Sequence, residues 1–183
     1  MSKGQTDNTY FYDKIAMRTN HLPAKKNIAV LDAYSGDGKI WEIIKKETDK
    51  NIDLVRIDVE TKKGLHLKGD NLKYMMAMDL SRFDVIDLDA YGVPYLQLKA
   101  IFQARNIDKI NSVIFITFNQ IMFGQLPINF LQDLGYTKRM IKKCPSLFNS
   151  NGMDKMIEFL GINGVKKIYS RSKKRINYIC FKL

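Results

Sequence analysis

Seven consecutive residues, Ile28 to Tyr34 (IAVLDAY), form an apolar run broken only by Asp32, and the run leads straight into Ser35-Gly36-Asp37-Gly38. Such a run suits a strand covered on both faces, the condition of inner strands in a parallel sheet. Lys39 to about Thr48 then carries Ile40, Ile43 and Ile44 on one face at helical spacing, with Trp41 flanking them. Strand, glycine turn and helix in immediate succession restrict the chain to an α/β architecture with a largely parallel sheet.

The remainder repeats the theme. Strands are expected at Ile52 to Val59, Leu65 to Lys68, Asp84 to Asp89 and Ser112 to Phe118, the last rich in β-branched and aromatic residues. Helices are expected over Thr9 to Thr19, Asn71 to Met78, Pro94 to Asn106, Ile128 to Leu134 and Met153 to Leu160. Val165 to Tyr169 and Ile176 to Phe181 read as a closing antiparallel hairpin around a basic turn, Ser170 to Arg175. No repeat or Pro/Ser-rich linker divides the 183 residues, which are read as a single domain, residues 1–183.

Cys144 and Cys180 belong to no C-x-x-C motif, and two histidines leave too few ligands for a structural zinc site, so no metal is expected. A disulfide between them stays arithmetically open beside the reading adopted, two packed thiols in a reduced protein. Met1 to Asn8 lacks the apolar core of a signal peptide, and no stretch approaches the roughly 18 apolar residues of a membrane span. A cytoplasmic protein without membrane association is expected.

Charge is unevenly distributed. The formal net charge is +11, and from Thr137 onward twelve Lys/Arg face only Asp154 and Glu158. Concentrated positive charge attracts polyanions through counterion release, so a nucleic-acid partner is expected. Lys138, Arg139, Lys142 and Lys143, before the hairpin, and Lys173, Lys174 and Arg175, in its turn, are the candidate nucleic-acid contacts. A merely solvated basic surface is the alternative.

Open α/β sheets bind ligands beyond the carboxyl ends of their strands, and four segments there carry suitable chemistry. Asp32, Tyr34, Gly36 and Gly38 form a turn that brings backbone close to a ligand and opens a helix whose free N–H groups face it. Asp58, about twenty residues on, is placed to accept ribose hydroxyls, with Glu60 as competitor. Asp70 and Asn71 offer acceptors for an exocyclic amine, or simply cap the next helix. Asp89-Ala90-Tyr91-Gly92 ends the fourth strand, where Asp89 can accept from an amine and Tyr91 can stack on a base. A dinucleotide fingerprint would require a third glycine where Trp41 stands.

The run DAYSGDGKIWE resembles the first motif of class I S-adenosylmethionine-dependent methyltransferases, and Asp58 and Gly69-Asp70 fall where that family places its ribose and adenine contacts. The resemblance spans about Ile28 to Phe118 and implies a Rossmann-like methyltransferase fold: a mostly parallel seven-stranded sheet with an antiparallel C-terminal hairpin strand. It also implies S-adenosylmethionine as cofactor, its methionine end over Asp32 and the Gly36–Gly38 loop. Asp89-Ala90-Tyr91-Gly92 is similar to the loop of methyltransferases acting on exocyclic amines, nearest the version in tRNA guanine-N2 dimethyltransferases, with Ala90 in place of their proline. Asp89 and Tyr91 are thereby the candidate catalytic residues. The implied activity is methylation of a base amine of RNA (tRNA or rRNA). Alternatives are a DNA amino-methyltransferase and a non-catalytic protein of the same fold that binds cofactor or RNA. A partner subunit or a homo-oligomer is left open.

Overall fold

The computed structural model describes residues 10–60, 67–119, 125–174 and 176–183. Seven strands form one sheet: β1 (Asn27–Asp32), β2 (Asn51–Asp58), β3 (Leu67–Lys68), β4 (Val85–Asp89), β5 (Val113–Asn119), β6 (Ile168–Lys173) and β7 (Ile176–Lys182). Their order is β3-β2-β1-β4-β5-β7-β6. The first five run parallel, while β7 lies antiparallel to both β5 and β6. Strand order reverses between β1 and β4, which opens a crevice at their carboxyl ends.

Period-2 alternation sends side chains of each inner strand to two opposite faces. On one face Leu31, Ile86, Leu88, Ile114, Ile116 and Ile179 pack beneath α3 (Asn71–Ala77), α4 (Tyr95–Phe102), α5 (Ile128–Asp133) and α8 (Gly152–Ile162). On the other, Val30, Val85, Phe115, Tyr178 and Cys180 pack beneath α1 (Phe11–Asn20) and α2 (Lys39–Glu47). The first face is mainly apolar, with Asn177 and Ser112 as its buried polar residues among those described. The second changes character toward the carboxyl ends, where the same alternation adds Asp32, Arg56, Asp87, Asp89 and Thr117 to it.

Several expectations are corrected. The edge strand β6 covers Ile168–Lys173, so the hairpin turn is shorter than Ser170 to Arg175. Its residues 169–172 are exposed, which removes the hydrophobic alternation by which a strand is recognised. Trp41 does not flank the α2 core face; it is fully buried with Ile44, while Ile40 and Ile43 are only half-buried. Two short helices, α6 (Lys138–Lys143) and α7 (Pro145–Asn149), occupy a stretch read without structure. Six residues with Ile141 as the one buried apolar side chain are too few to reveal a helical period. The expected third strand is confined to Leu67–Lys68; Leu65 and His66 lie outside the described residues. Cys144 and Cys180 are both free thiols, the first exposed and the second buried, with burial pushing the Cys180 thiol up to about 12. No described helix is long and apolar enough to cross a membrane.

Candidate active site

A cavity of about 160 Å³ lies at the β1/β4 switch point, lined by Asp32, Tyr34, Gly36, Gly38, Asp89 and Tyr91, six of the residues singled out from the sequence. Phe11 and Lys14 from α1, Lys39 and Trp41 from α2, Asp87 from β4, Asn119 from β5 and Ile176 from β7 also line it, as do Ser35 and Asp37 of the glycine loop.

The glycine loop is shaped by two left-handed residues, Gly36 at φ 49° and Gly38 at φ 74°. At Gly38 the restriction is also steric, because a Cβ would run into the guanidinium of Arg56. Arg56 is buried, lies beside Asp32 in the β1–β2 register and donates through Nη2 to the Gly36 carbonyl at 3.3 Å. A Gly38→Ala variant is therefore expected to lose about 1–3 kcal/mol of stability, the usual range for a strained backbone position. Urea unfolding would measure this, and an unchanged midpoint would contradict the arrangement.

Three carboxylates converge from adjacent strands, with Asp32 directly opposite Asp87 in register. Their partners differ. Asp87 is saturated: Arg18 Nε and Nη2 donate to its two oxygens at 2.6 Å each, and Trp41 Nε1 donates at 2.8 Å. Burial opposes the charge of Arg18, yet the attraction of Asp87 prevails and raises its pKa above the ordinary value. Asp89 receives Lys14 Nζ on both oxygens, at 2.8 and 2.9 Å. Asp32 accepts no hydrogen bond among the described residues, although it is 4% exposed. Burial, followed by the negative charges of Asp87 and Asp89, pushes its carboxyl well above the usual range. A cation entering the cleft would reverse that shift.

Two further polar atoms on the cleft wall, Ser35 Oγ and Asn119 Oδ1, are buried without a partner among the described residues. Unpaired buried polar atoms cost free energy and commonly mark a ligand position. Tyr34 is half-buried and its phenol is pushed up to about 12 by burial. Tyr91 stands exposed at the rim.

The other candidate cofactor residues stand outside this lining. Asp58 accepts from Gly36 N–H at 2.8 Å and from Glu60 N–H at 2.9 Å, so it buttresses the glycine loop from behind. Each of its oxygens retains a lone pair for a hydroxyl. Asp70 caps α3 by accepting from Leu72 N–H. Asn71 donates to the Ala33 carbonyl at 2.7 Å and accepts from Gln97 at 2.8 Å, tying the end of β1 to α4.

Among the basic candidates, Lys138, Arg139, Lys142 and Lys143 are all exposed on α6, with Ile141 turned into the core. The chain reaches α6 from the carboxyl end of β5, and α8 then returns it to the start of β6, which lies by the amino end of β5. Phe130 and Leu131 of α5 and Ile141 of α6 pack in the same core cluster as Leu31, Ile86 and Ile114. Lys173 is committed to Asp13 at 2.7 Å and lies over the Tyr10 ring, while Lys174 is exposed at the hairpin tip. Arg175 lies outside the described residues.

Sequence reading missed Lys14, Arg18, Arg56, Ser35 and Asn119. The signal for the first two was present as an i, i+4 pair of cations on the first helix, but their partners lie 75 and 69 residues away.

No protein-family model matches the sequence, and no curated protein is similar to it. Solved structures do share the fold. The CurJ carbon methyltransferase aligns over 96% of this chain with 13% identity and a TM-score of 0.57, this chain spanning 53% of that one. A provisionally assigned methyltransferase from Pseudomonas syringae aligns over 96% of this chain and 99% of its own, at 10% identity and TM-score 0.55. The plantazolicin methyltransferase BamL, solved in complex with SAH and a desmethylPZN analog, aligns over 95% of this chain and 85% of its own, at 11% identity and TM-score 0.54. The chain therefore has the Rossmann-like fold of class I methyltransferases.

Proposed function

We propose that this protein is an S-adenosylmethionine-dependent methyltransferase that modifies an exocyclic base amine of RNA. The observation that carries the cofactor is Asp32: a buried carboxyl without a hydrogen-bond partner among the described residues, at the strand-order switch point beside the Gly36–Gly38 turn. Arg18 and Lys14 offset Asp87 and Asp89, so Asp32 is the carboxylate of the cleft wall placed to receive a cationic group. Ser35 Oγ and Asn119 Oδ1 add unmet polar capacity at the same place. Asp32, Ser35 and the glycine loop would hold the amino-acid end of S-adenosylmethionine, and Asp58 its ribose. When bound, that cofactor supplies a methyl group activated on a sulfonium.

Little beyond alignment is then asked of the protein. Asp89 accepts a hydrogen bond from the amine and directs its lone pair into the cleft. It need not be a strong base, since the nitrogen can release its proton after the methyl group arrives. Tyr91, exposed at the rim, offers a stacking face for the base. The four exposed cations of α6 and Lys174 would hold the phosphates. Both oxygens of Asp89 already bear Lys14, and this favours, as a second reading, a protein of this fold that binds without turnover.

Calorimetric titration with S-adenosylmethionine, followed by label transfer to RNA, separates these readings. Micromolar binding with transfer abolished by Asp89→Ala supports the enzyme. Binding without transfer supports the second reading, and no cofactor binding removes the enzyme and leaves a protein of this fold that binds RNA alone. Reversing Lys138, Arg139, Lys142 and Lys143 to Glu should weaken RNA binding and flatten its log–log salt dependence by up to roughly 3, at about 0.7 per lost phosphate contact. Cofactor affinity should not change. Equal RNA affinity in the reversed variant would remove α6 from the interface.

A further inference from the structure

The acceptor-side carboxylate belongs to the last residue of β4, whose backbone pairs with Thr117 of β5, and the turn that follows it has little of its own to hold it. After Asp89 the chain runs Ala90-Tyr91-Gly92, and only the Ala90 amide, donating to the Leu88 carbonyl at 2.9 Å, makes a backbone hydrogen bond among the described residues of that turn. Tyr91 and Gly92 are exposed. An alignment catalyst cannot leave its acceptor group loose, because an error near 1 Å costs on the order of 100-fold in rate. The sheet fixes the Asp89 backbone, and something else must fix its carboxylate.

The spacing of α1 against β4 supplies it. Lys14 and Arg18 are one helical turn apart, an advance of about 6 Å along the axis. Asp87 and Asp89 are two residues apart on one face of a strand, an advance of about 6.7 Å. The two repeats match, and each cation meets its own acid: Arg18 on Asp87 at 2.6 Å and Lys14 on Asp89 at 2.8 Å. The rungs are joined, since Arg18 Nη1 also donates to the Lys14 carbonyl at 3.0 Å. The inner rung is fully buried, while the outer pair is 16% and 13% exposed and faces the cleft. Lys173 on Asp13, the residue before Lys14, ties the same helix to the hairpin.

We propose that Lys14 is the positioning residue for Asp89: α1 and β4 form a two-rung ladder whose buried rung sets the helix and whose outer rung holds the carboxylate toward the acceptor. The proposal rests on the methyltransferase reading for its consequence in catalysis but not for the ladder itself. It also accounts for the occupied oxygens of Asp89. A lysine shared by both leaves a lone pair on each for an incoming amine, so the pair is a brace and not a block.

The test compares Lys14→Met and Lys14→Arg with the wild-type protein by three measurements. Relaxation of the Asp89 side-chain 13C nuclei should show lower order parameters in Lys14→Met than in the wild-type protein, with Lys14→Arg near wild type. Lys14 lines the cleft, so calorimetry checks which side it serves: a fall in S-adenosylmethionine affinity above about tenfold in Lys14→Met would place Lys14 on the cofactor and overturn the brace. Turnover on RNA should fall about 100-fold in Lys14→Met with a smaller change in KM, and Lys14→Arg should recover most of it. Unchanged order parameters in Lys14→Met overturn the ladder whatever the activity. Faster turnover in that variant overturns it too, by making Lys14 a block. If the wild-type protein neither binds cofactor nor transfers methyl, the enzyme reading fails, and relaxation alone still decides the ladder.

Discussion

An Arg18→Met variant should unfold about 3–5 kcal/mol more easily than the wild-type protein, the cost expected when one partner of a buried ion pair is removed. Arg18 and Asp87 have side chains 0% and 1% exposed, so solvent does not screen the loss. Methionine fills most of the volume but leaves Asp87 with Trp41 Nε1 as its one remaining partner of the three hydrogen bonds it accepts now. For a chain of this size the change corresponds to a melting temperature lower by roughly 6–20 °C. Adding Asp87→Asn should return part of the loss, because an uncharged amide is cheaper to bury than an unpaired carboxylate. Urea unfolding of both variants measures the effect. A loss under about 1 kcal/mol in Arg18→Met would mean that the pair is not closed to solvent.

The opposite sign is expected at Asp32. Burial and two neighbouring carboxylates raise its pKa in the folded protein above that in the unfolded chain. Between those two values the folded state holds a proton that the unfolded state has released, so stability falls as pH rises through the folded value. Asp32→Asn removes this penalty without changing side-chain volume. The variant should therefore match the wild-type protein near pH 4 and melt at least about 2 °C higher at alkaline pH. The same substitution should weaken S-adenosylmethionine binding about 10- to 100-fold, the range for losing a charged hydrogen-bond partner. A stabilised protein that no longer binds cofactor is the pattern of a residue kept for function against stability. Melting curves across pH, with calorimetry beside them, would show it. A variant that melts lower at every pH would instead make Asp32 structural.

Much of the fold was legible because it depends on local pattern. The apolar runs of β1 and β5 suit inner strands, and the turn after β1 contains two glycines where the backbone needs left-handed conformations. The segments without such a pattern were misread. Residues 168–173 form a strand with a solvated, polar sequence, held in place by pairing with β7. Residues 138–149 form two helices too short to display a period.

The candidate site divides along a similar line. Acids at the ends of β1 and β4 and glycines in the first loop were visible one segment at a time, and they do line one cleft. Their different states were not visible. Asp32, Asp87 and Asp89 look alike in the sequence, yet one lacks a hydrogen-bond partner, one is saturated by Arg18 and Trp41, and one shares Lys14. Asp58, Asp70 and Asn71 likewise read as ligand contacts, and each makes hydrogen bonds within the fold.

The sequence by itself determined most of the segments that become strands and helices, and that Asp87 and Asp89 of β4 share a face, because a period of two and a period of 3.6 act between near neighbours. Only the tertiary structure decided which acid of β1 and β4 is left for a ligand. That choice depends on α1 folding back across the sheet to bring cations against carboxylates about seventy residues away, and ionic interactions over such separations exist only once packing has set the distance and excluded the water.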